Sequence, residues 1–332
     1  MNRKQITFLI MWGLTPCLAQ SQTPVVLNVD VENVVQYVDD STDFTKLATV
    51  PTATTGGAPL NFRKFIIIGD IVAVNGTTAK GTLVESARAI TMRPSPTPGQ
   101  AIADVNRNNQ NEVTFEIMGP DGATIGTIFG SGLGNGPAPP GVPQAITQGN
   151  NAIIAGTGAF LGIRGVFGQN TAAAGAITQR VASMTEDPAN RRVIGGNSQK
   201  YVLSILPITR PEIVVNSGLP AVFHTDFTPV TTDKPAKGGE VLILFASGLG
   251  ATRPGVDPGQ PFPSDKPQTV NSPVQVLVNG TANDALYAGG YPGAPDIYQV
   301  NFRVPDGTAN TQASIQLSVA WIPGSAVKIP IQ

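Results

Sequence analysis

The chain is predicted to be all-β, an antiparallel β-barrel followed by a β-sandwich, and three observations predict it. Apolar and polar residues alternate in short runs, most clearly where Tyr298, Val300, Phe302 and Val304 fall on one face and Gln299, Asn301 and Arg303 on the other, the period of a half-buried strand. Turn signals such as Asn75-Gly76 and Asp121-Gly122 separate these runs, with no helical period between them. Gly (37) and Pro (29) are abundant among 332 residues and only 13% are charged, which suits turn-rich β structure and disfavours long helices.

The first residues read as an export signal. Arg3 and Lys4 supply the positive start, Ile6 to Leu14 a short apolar core and Cys17-Leu18-Ala19 a small-residue cleavage site. A lipoprotein acylated at Cys17 is the competing reading, but Pro16 stands where small residues are wanted. Cleavage near Ala19 removes the sole cysteine, leaving no thiol nucleophile, disulfide or thiolate metal site. It also leaves 19 basic against 22 acidic residues, so neither nucleic acid nor an anionic membrane is electrostatically invited. No later apolar run approaches the roughly 20 residues a membrane-spanning helix needs. The mature chain is expected in the periplasm, on the cell surface or in the medium.

After residues 1–20, a barrel-like domain is expected over 21–210 and a sandwich over 211–332. Val25 to Val31 alternate as a strand, able to pair in cis or be lent to a neighbouring copy, and Val34 to Lys46 are less patterned. Thr49 to Pro59 read as a tether. Strands follow at Phe65–Val74, Gly81–Met92, Glu112–Met118, Thr124–Phe129, Asn151–Ile154, Phe160–Phe167 and Lys200–Leu206. The Gly130 to Gly136 run fails the phosphate-loop spacing and lacks a following helix, so a plain loop is expected. Beyond a boundary at Pro207–Gly218, further strands are expected at Glu212–Val215, Glu240–Ala246, Ser272–Gly280, Tyr298–Val304, Ser314–Trp321 and Ala326–Ile331.

Two resemblances add to this. Gly248-Leu249-Gly250, Arg253 to Gly259, Ser272-Pro273-Val274 with Val278-Asn279-Gly280, Tyr287-Ala288-Gly289 and Tyr298 to Pro305 together resemble the immunoglobulin-like carboxy-terminal domain of many uncharacterised exported proteins of soil bacteria. That resemblance covers about residues 212–332; it implies a carried module for adhesion, spacing or presentation and no catalytic residue. Gly156-Thr157-Gly158-Ala159-Phe160-Leu161-Gly162-Ile163-Arg164-Gly165 is similar to a signature of the dirigent and allene oxide cyclase barrel, which implies eight antiparallel strands around an apolar lumen. It covers one strand pair, and fold alone licenses no activity.

Four charged residues embedded in predicted barrel strands are the candidate ligand-binding groups: Glu85, Arg88, Glu116 and Arg164. Arg164 shares strand parity with Phe160 and Gly162, so it either lies in the lumen with a partner or is solvated. No residue is assigned a catalytic role: His224 is the only histidine, no G-x-S-x-G occurs, and a structural or surface histidine is the default. Asp257, Asp265, Asp284 and Asp296 read as turn formers rather than calcium ligands, and no cofactor is expected. The leading expectation is a non-enzymatic exported protein that binds, adheres or self-associates, with its extracellular partner unknown. The alternative is a small apolar ligand, or dirigent- or cyclase-like chemistry, in the lumen.

Overall fold

The computed structural model describes residues 23–38, 64–89, 109–174, 180–308 and 312–332. The export segment, the Thr49–Pro59 tether and the Pro94–Pro98 insert lie outside the described residues. The first sheet contains β1 Val25–Val38, β2 Lys64–Val74, β3 Thr77–Ala89, β4 Asn109–Met118, β5 Thr124–Pro137, β6 Gln148–Gly156, β7 Arg164–Gln169, β8 Arg180–Ser183 and β9 Asn197–Leu206. Neighbours run antiparallel from β2 through β3, β4, β5, β6, β7 and β9 to β1, and β1 pairs back onto β2, closing an eight-stranded barrel. Closure leaves these strands no free edge. β1, the strand that could have been lent out, is therefore paired in cis on both sides.

The structure carries β1 seven residues past the alternating stretch. A residue of positive φ, Asn33 at 52°, forms a bulge, so the inward positions change from Val25, Leu27, Val29 and Val31 to Val34 and Val38. Val35 and Tyr37 then point outward, where β8 runs parallel beside them and Ala182 covers them. A short helix, α2 at Asn190–Ile194, follows β8 and is pinned to the barrel by charge; the other described α-helix, α1, is Thr171–Ala174. The Asp70 carboxylate accepts from Arg191 Nη2 at 2.5 Å, from Arg192 Nη2 at 2.7 Å and Nε at 3.0 Å, and from Asn33 Nδ2 at 3.1 Å. Burial alone would raise the Asp70 carboxyl, but these donated hydrogen bonds hold it down at about 2.

The Gly130 to Gly136 run is not a loop: β5 continues through it to Pro137. Gly130, Gly132 and Gly134 occupy inward positions, where a Cβ would overlap the Phe167 ring, the Asn150–Asn151 backbone and the Asn111 amide in turn. These glycines let side chains of other strands lie against β5, which is why a turn-like composition forms a strand here.

The second unit begins at β10 Glu212–Ile213 and adds β11 Val215–Asn216, β12 Leu219–Pro220, β13 Val222–His224, β14 Val241–Ser247, β15 Thr252–Arg253, β16 Thr269–Val270, β17 Val274–Val278, β18 Thr281–Asp284, β19 Tyr287–Gly290, β20 Tyr298–Arg303, β21 Ala313–Val319 and β22 Ile322–Ile329. One sheet has the order β15-β16-β19-β20-β14, with β10 and β13 both on the far side of β14; the other has the order β18-β17-β21-β22. Leu242, Leu244, Val300 and Phe302 of the first share one apolar core with Val276, Ile315 and Leu317 of the second.

The two units meet through the β21–β22 turn. Ala320 and Trp321 sit at φ 48° and 63°, a conformation costly for residues with a Cβ. Ala320 and Ile322 are buried in the barrel's apolar cluster and Trp321 packs against it, which offsets that cost. Arg210, between the units, donates to the carbonyls of Pro323 at 2.8 Å and Thr23 at 2.7 Å, tying the turn to the start of β1.

Replacing Asp70 with alanine leaves Arg191, only 7% exposed, without its carboxylate. A loss of about 3–5 kcal/mol in urea unfolding is expected, with a transition of unchanged steepness. A change within about 0.5 kcal/mol, the range of an ordinary surface substitution, would show that the cluster does not hold α2.

Candidate functional site

The barrel lumen has an apolar end and a polar end, separated by three rings. β4 and β9 lie four strands apart whichever way the ring is counted, so their inward residues face each other across the lumen. Phe115 of β4 meets Tyr201 of β9 edge to face at 5.3 Å and Phe167 of β7 at 5.5 Å. An eight-stranded barrel is only wide enough for side chains to fill it, and at this level they do. On one side lie Leu27, Ile71, Ile117, Ile128, Phe160 and Ile163, all essentially inaccessible, toward the end where Ala320 and Ile322 pack.

The other side holds a polar cluster among apolar residues of the same register rows, Ile67 and Val113 beside Glu85 and Phe65 beside Ala87. Gln169 Nε2 donates to Tyr201 Oη at 3.1 Å and to Gln199 Oε1 at 3.3 Å, and the Tyr201 hydroxyl donates to Gln199 Oε1 at 2.7 Å, a closed triangle on β7 and β9. Across from it stand Glu85 on β3 and Asn111 on β4, and beside it, on the strand next to β7, stands Asn151 of β6; they are 5%, 4% and 7% exposed. Asn111 and Asn151 are linked by register through Gly132, and Asn111 is diagonal to Glu85 through the Ala87–Asn111 pair. Their Oδ1 atoms are buried without a hydrogen-bond partner among the described residues. Burial pushes the Glu85 carboxyl up to about 7. The Tyr201 phenol is raised too, first by burial and then by the nearby Glu85 charge, while the hydrogen bond from Gln169 opposes the shift.

Of the four charged residues singled out in the sequence, only Glu85 faces inward. Arg88 and Glu116 are exposed, because each has the opposite parity to the buried residues of its strand: Leu83, Glu85 and Ala87 on β3, and Val113, Phe115 and Ile117 on β4. Arg164 does not share a face with Phe160. A 3-10 turn at Gly158–Phe160 and the positive φ of Gly162 (73°) interrupt the strand, so parity does not carry across; Phe160 is buried and Arg164 exposed, donating to the Ile163 carbonyl at 2.9 Å. Asn111, Asn151, Gln169 and Gln199 were not singled out, although each shares inward parity with the apolar residues of its own strand.

Outside the lumen, His224 is buried with Nδ1 2.6 Å from Glu240 Oε1 and Nε2 3.2 Å from the Lys234 carbonyl, the setting of a structural histidine. Asp284 accepts from Gln275 Nε2 at 3.0 Å. Among the described residues no three of His, Cys, Asp and Glu lie together as a metal would require. A groove of about 600 Å³ on the outer face of the barrel includes Asn28, Asp30, Asn75 and Lys200, but Asn28 pairs with Asn75 and Asp30 with Lys200. No family model, curated protein or solved structure is similar to this chain.

Between the ordinary carboxyl value of 4.5 and about 7, the folded chain holds a proton on Glu85 that the unfolded chain has released. Stability contributed at this position is therefore present at low pH and lost as pH rises through that window, by up to about 3 kcal/mol. The variant Glu85→Gln should unfold at higher denaturant than the parent above neutral pH, with that part of the pH dependence gone. Parallel pH profiles for the two proteins would show that Glu85 does not titrate as its burial requires.

Proposed function

We propose that the chain is an exported, non-enzymatic protein of the cell envelope or extracellular space that binds through its surface. The observation that carries this reading is the contact of Phe115 with Tyr201 and Phe167 across the barrel, which fills the lumen where a reacting small molecule would have to sit. The amino-terminal pattern of Arg3, Lys4 and the Ile6–Leu14 run supports export. The five motifs between Gly248 and Pro305 support an immunoglobulin-like sandwich as the second unit, a module that presents a surface. The barrel then acts as a rigid support, and the resemblance of Gly156 to Gly165 to the dirigent signature carries over a closed barrel without that family's chemistry.

A second reading has its own observation. The unpaired Oδ1 atoms of Asn111 and Asn151 and the buried Glu85 favour a small ligand at the polar end, one able to donate hydrogen bonds.

Native mass spectrometry of the mature chain from Ser21 onward, purified from its own envelope or medium, separates the two. The surface-binding reading expects the bare mass, as a monomer or as ligand-free multimers. A reproducible adduct on the parent that is missing from Glu85→Gln would overturn it in favour of the lumen.

A further inference from the structure

We infer that the outward face of the larger sheet in the second unit is a platform for a neutral polysaccharide; this rests on the surface-binding reading and names its partner. The inward side of that sheet carries Leu242, Leu244, Val300 and Phe302. By alternation, the outward side carries Phe223, Phe245, Gln299, Asn301 and Tyr287 around Ile243, which is 5% exposed, and Tyr291 reaches it from the end of β19. Phe245 meets Phe223 at 5.6 Å and Tyr291 at 5.0 Å, both edge to face, so the three rings form a continuous row. Phe223, Phe245 and Tyr287 are half-buried, and Tyr291 is 39% exposed. A Cβ at Gly289 would overlap the Tyr287 hydroxyl, so glycine is what lets that ring lie down along the strand.

The polar groups of this face select the partner. Gln299 Nε2 donates to Asn301 Oδ1 at 2.9 Å, which orients both carboxamides and leaves Gln299 Oε1 and Asn301 Nδ2, one acceptor and one donor, with no partner among the described residues. The register rows Phe223–Ile243–Asn301–Tyr287 and Phe245–Gln299–Gly289 contain no charged side chain. The charges in the flanking positions are engaged elsewhere: Arg303 donates to the Gly239 carbonyl and Glu212 accepts from Ser325.

A sugar ring offers C–H groups on one face and hydroxyls around its edge. The first pack against electron-rich aromatic faces, and the second match oriented carboxamides, which can serve as donor and acceptor at once. A polyanion would find a single cation, Arg303 at the margin of this face, and none among the rings and carboxamides. A purely apolar partner would leave the two carboxamide groups buried and unpaired. An uncharged, aromatic patch of this kind on an exported protein marks a binding surface, and a polysaccharide satisfies all of its groups together.

The test uses the whole mature chain on amorphous cellulose, mannan and dextran as neutral probes, with alginate as the charged one. Retention on at least one neutral polymer and not on alginate is expected. Tyr291→Ala and Gln299→Ala should each weaken it at least about tenfold, a loss of about 1.4 kcal/mol, with melting temperatures unchanged. The inference is overturned if no neutral polymer retains the chain, if alginate does so equally, or if both face variants bind like the parent. A parental dimer that Tyr291→Ala dissociates would assign the face to a second copy instead. A lumen adduct in mass spectrometry strikes at the surface-binding reading alone, and this assay does not sense it.

Discussion

Barrel closure is the constraint on which the first unit depends. Once β1 pairs with both β9 and β2, every inward position on eight strands points into a lumen of set width, and those side chains must fill it or leave a costly void. Phe115 meets this demand by reaching Tyr201 on the opposite strand and Phe167 on β7. The glycines of β5 are the counterpart of these rings, since a side chain at position 130 would stand where Phe167 lies. The polar residues collect on the far side of this plug, in a low-dielectric setting that pushes the Glu85 carboxyl to about 7.

The plug also separates two kinds of boundary. At the apolar end the barrel is continued by the second unit, whose Ala320–Trp321 turn adopts an unfavourable backbone conformation in exchange for burial against the barrel. The Arg210 guanidinium fastens that junction through two carbonyls on different elements, and the Arg253–Asp121 pair at 2.6 Å lies in the open, where it adds little. The polar end has no such cover from the second unit. It keeps the unpaired amide oxygens of Asn111 and Asn151, which a filled core ordinarily avoids and which packing does not account for.

Function, on this view, moves from the lumen to the surface. The same glycine logic recurs in the second unit, where Gly289 makes room for Tyr287 on an outward face rather than for a ring inside a core. Aromatic rings that share a face with paired carboxamides lie on the opposite side of the sheet from the main core of that unit, beside the buried Ile243.

The sequence by itself determined the all-β class and the position of many of the longer strands, because period-2 alternation and turn pairs such as Asn75-Gly76, at φ 49° and 76°, are local properties that tertiary contacts had no reason to overrule. It also held the fact that Glu85 faces in while Arg88 and Glu116 face out, since parity with Leu83 and Phe115 is written in the strands themselves. Only the tertiary structure decided the rest. The bulge at Asn33 and the turn before Arg164 reset parity, and such breaks are invisible to a rule that counts residues in an unbroken strand. Asn111, Asn151, Gln169 and Gln199 carry no charge to draw attention, and they become neighbours of Glu85 only when strands distant in sequence close into one ring. The strand character of the Gly130–Gly136 run likewise depends on Phe167 and Asn111 arriving from β7 and β4, because glycine specifies a conformation only through what packs against it.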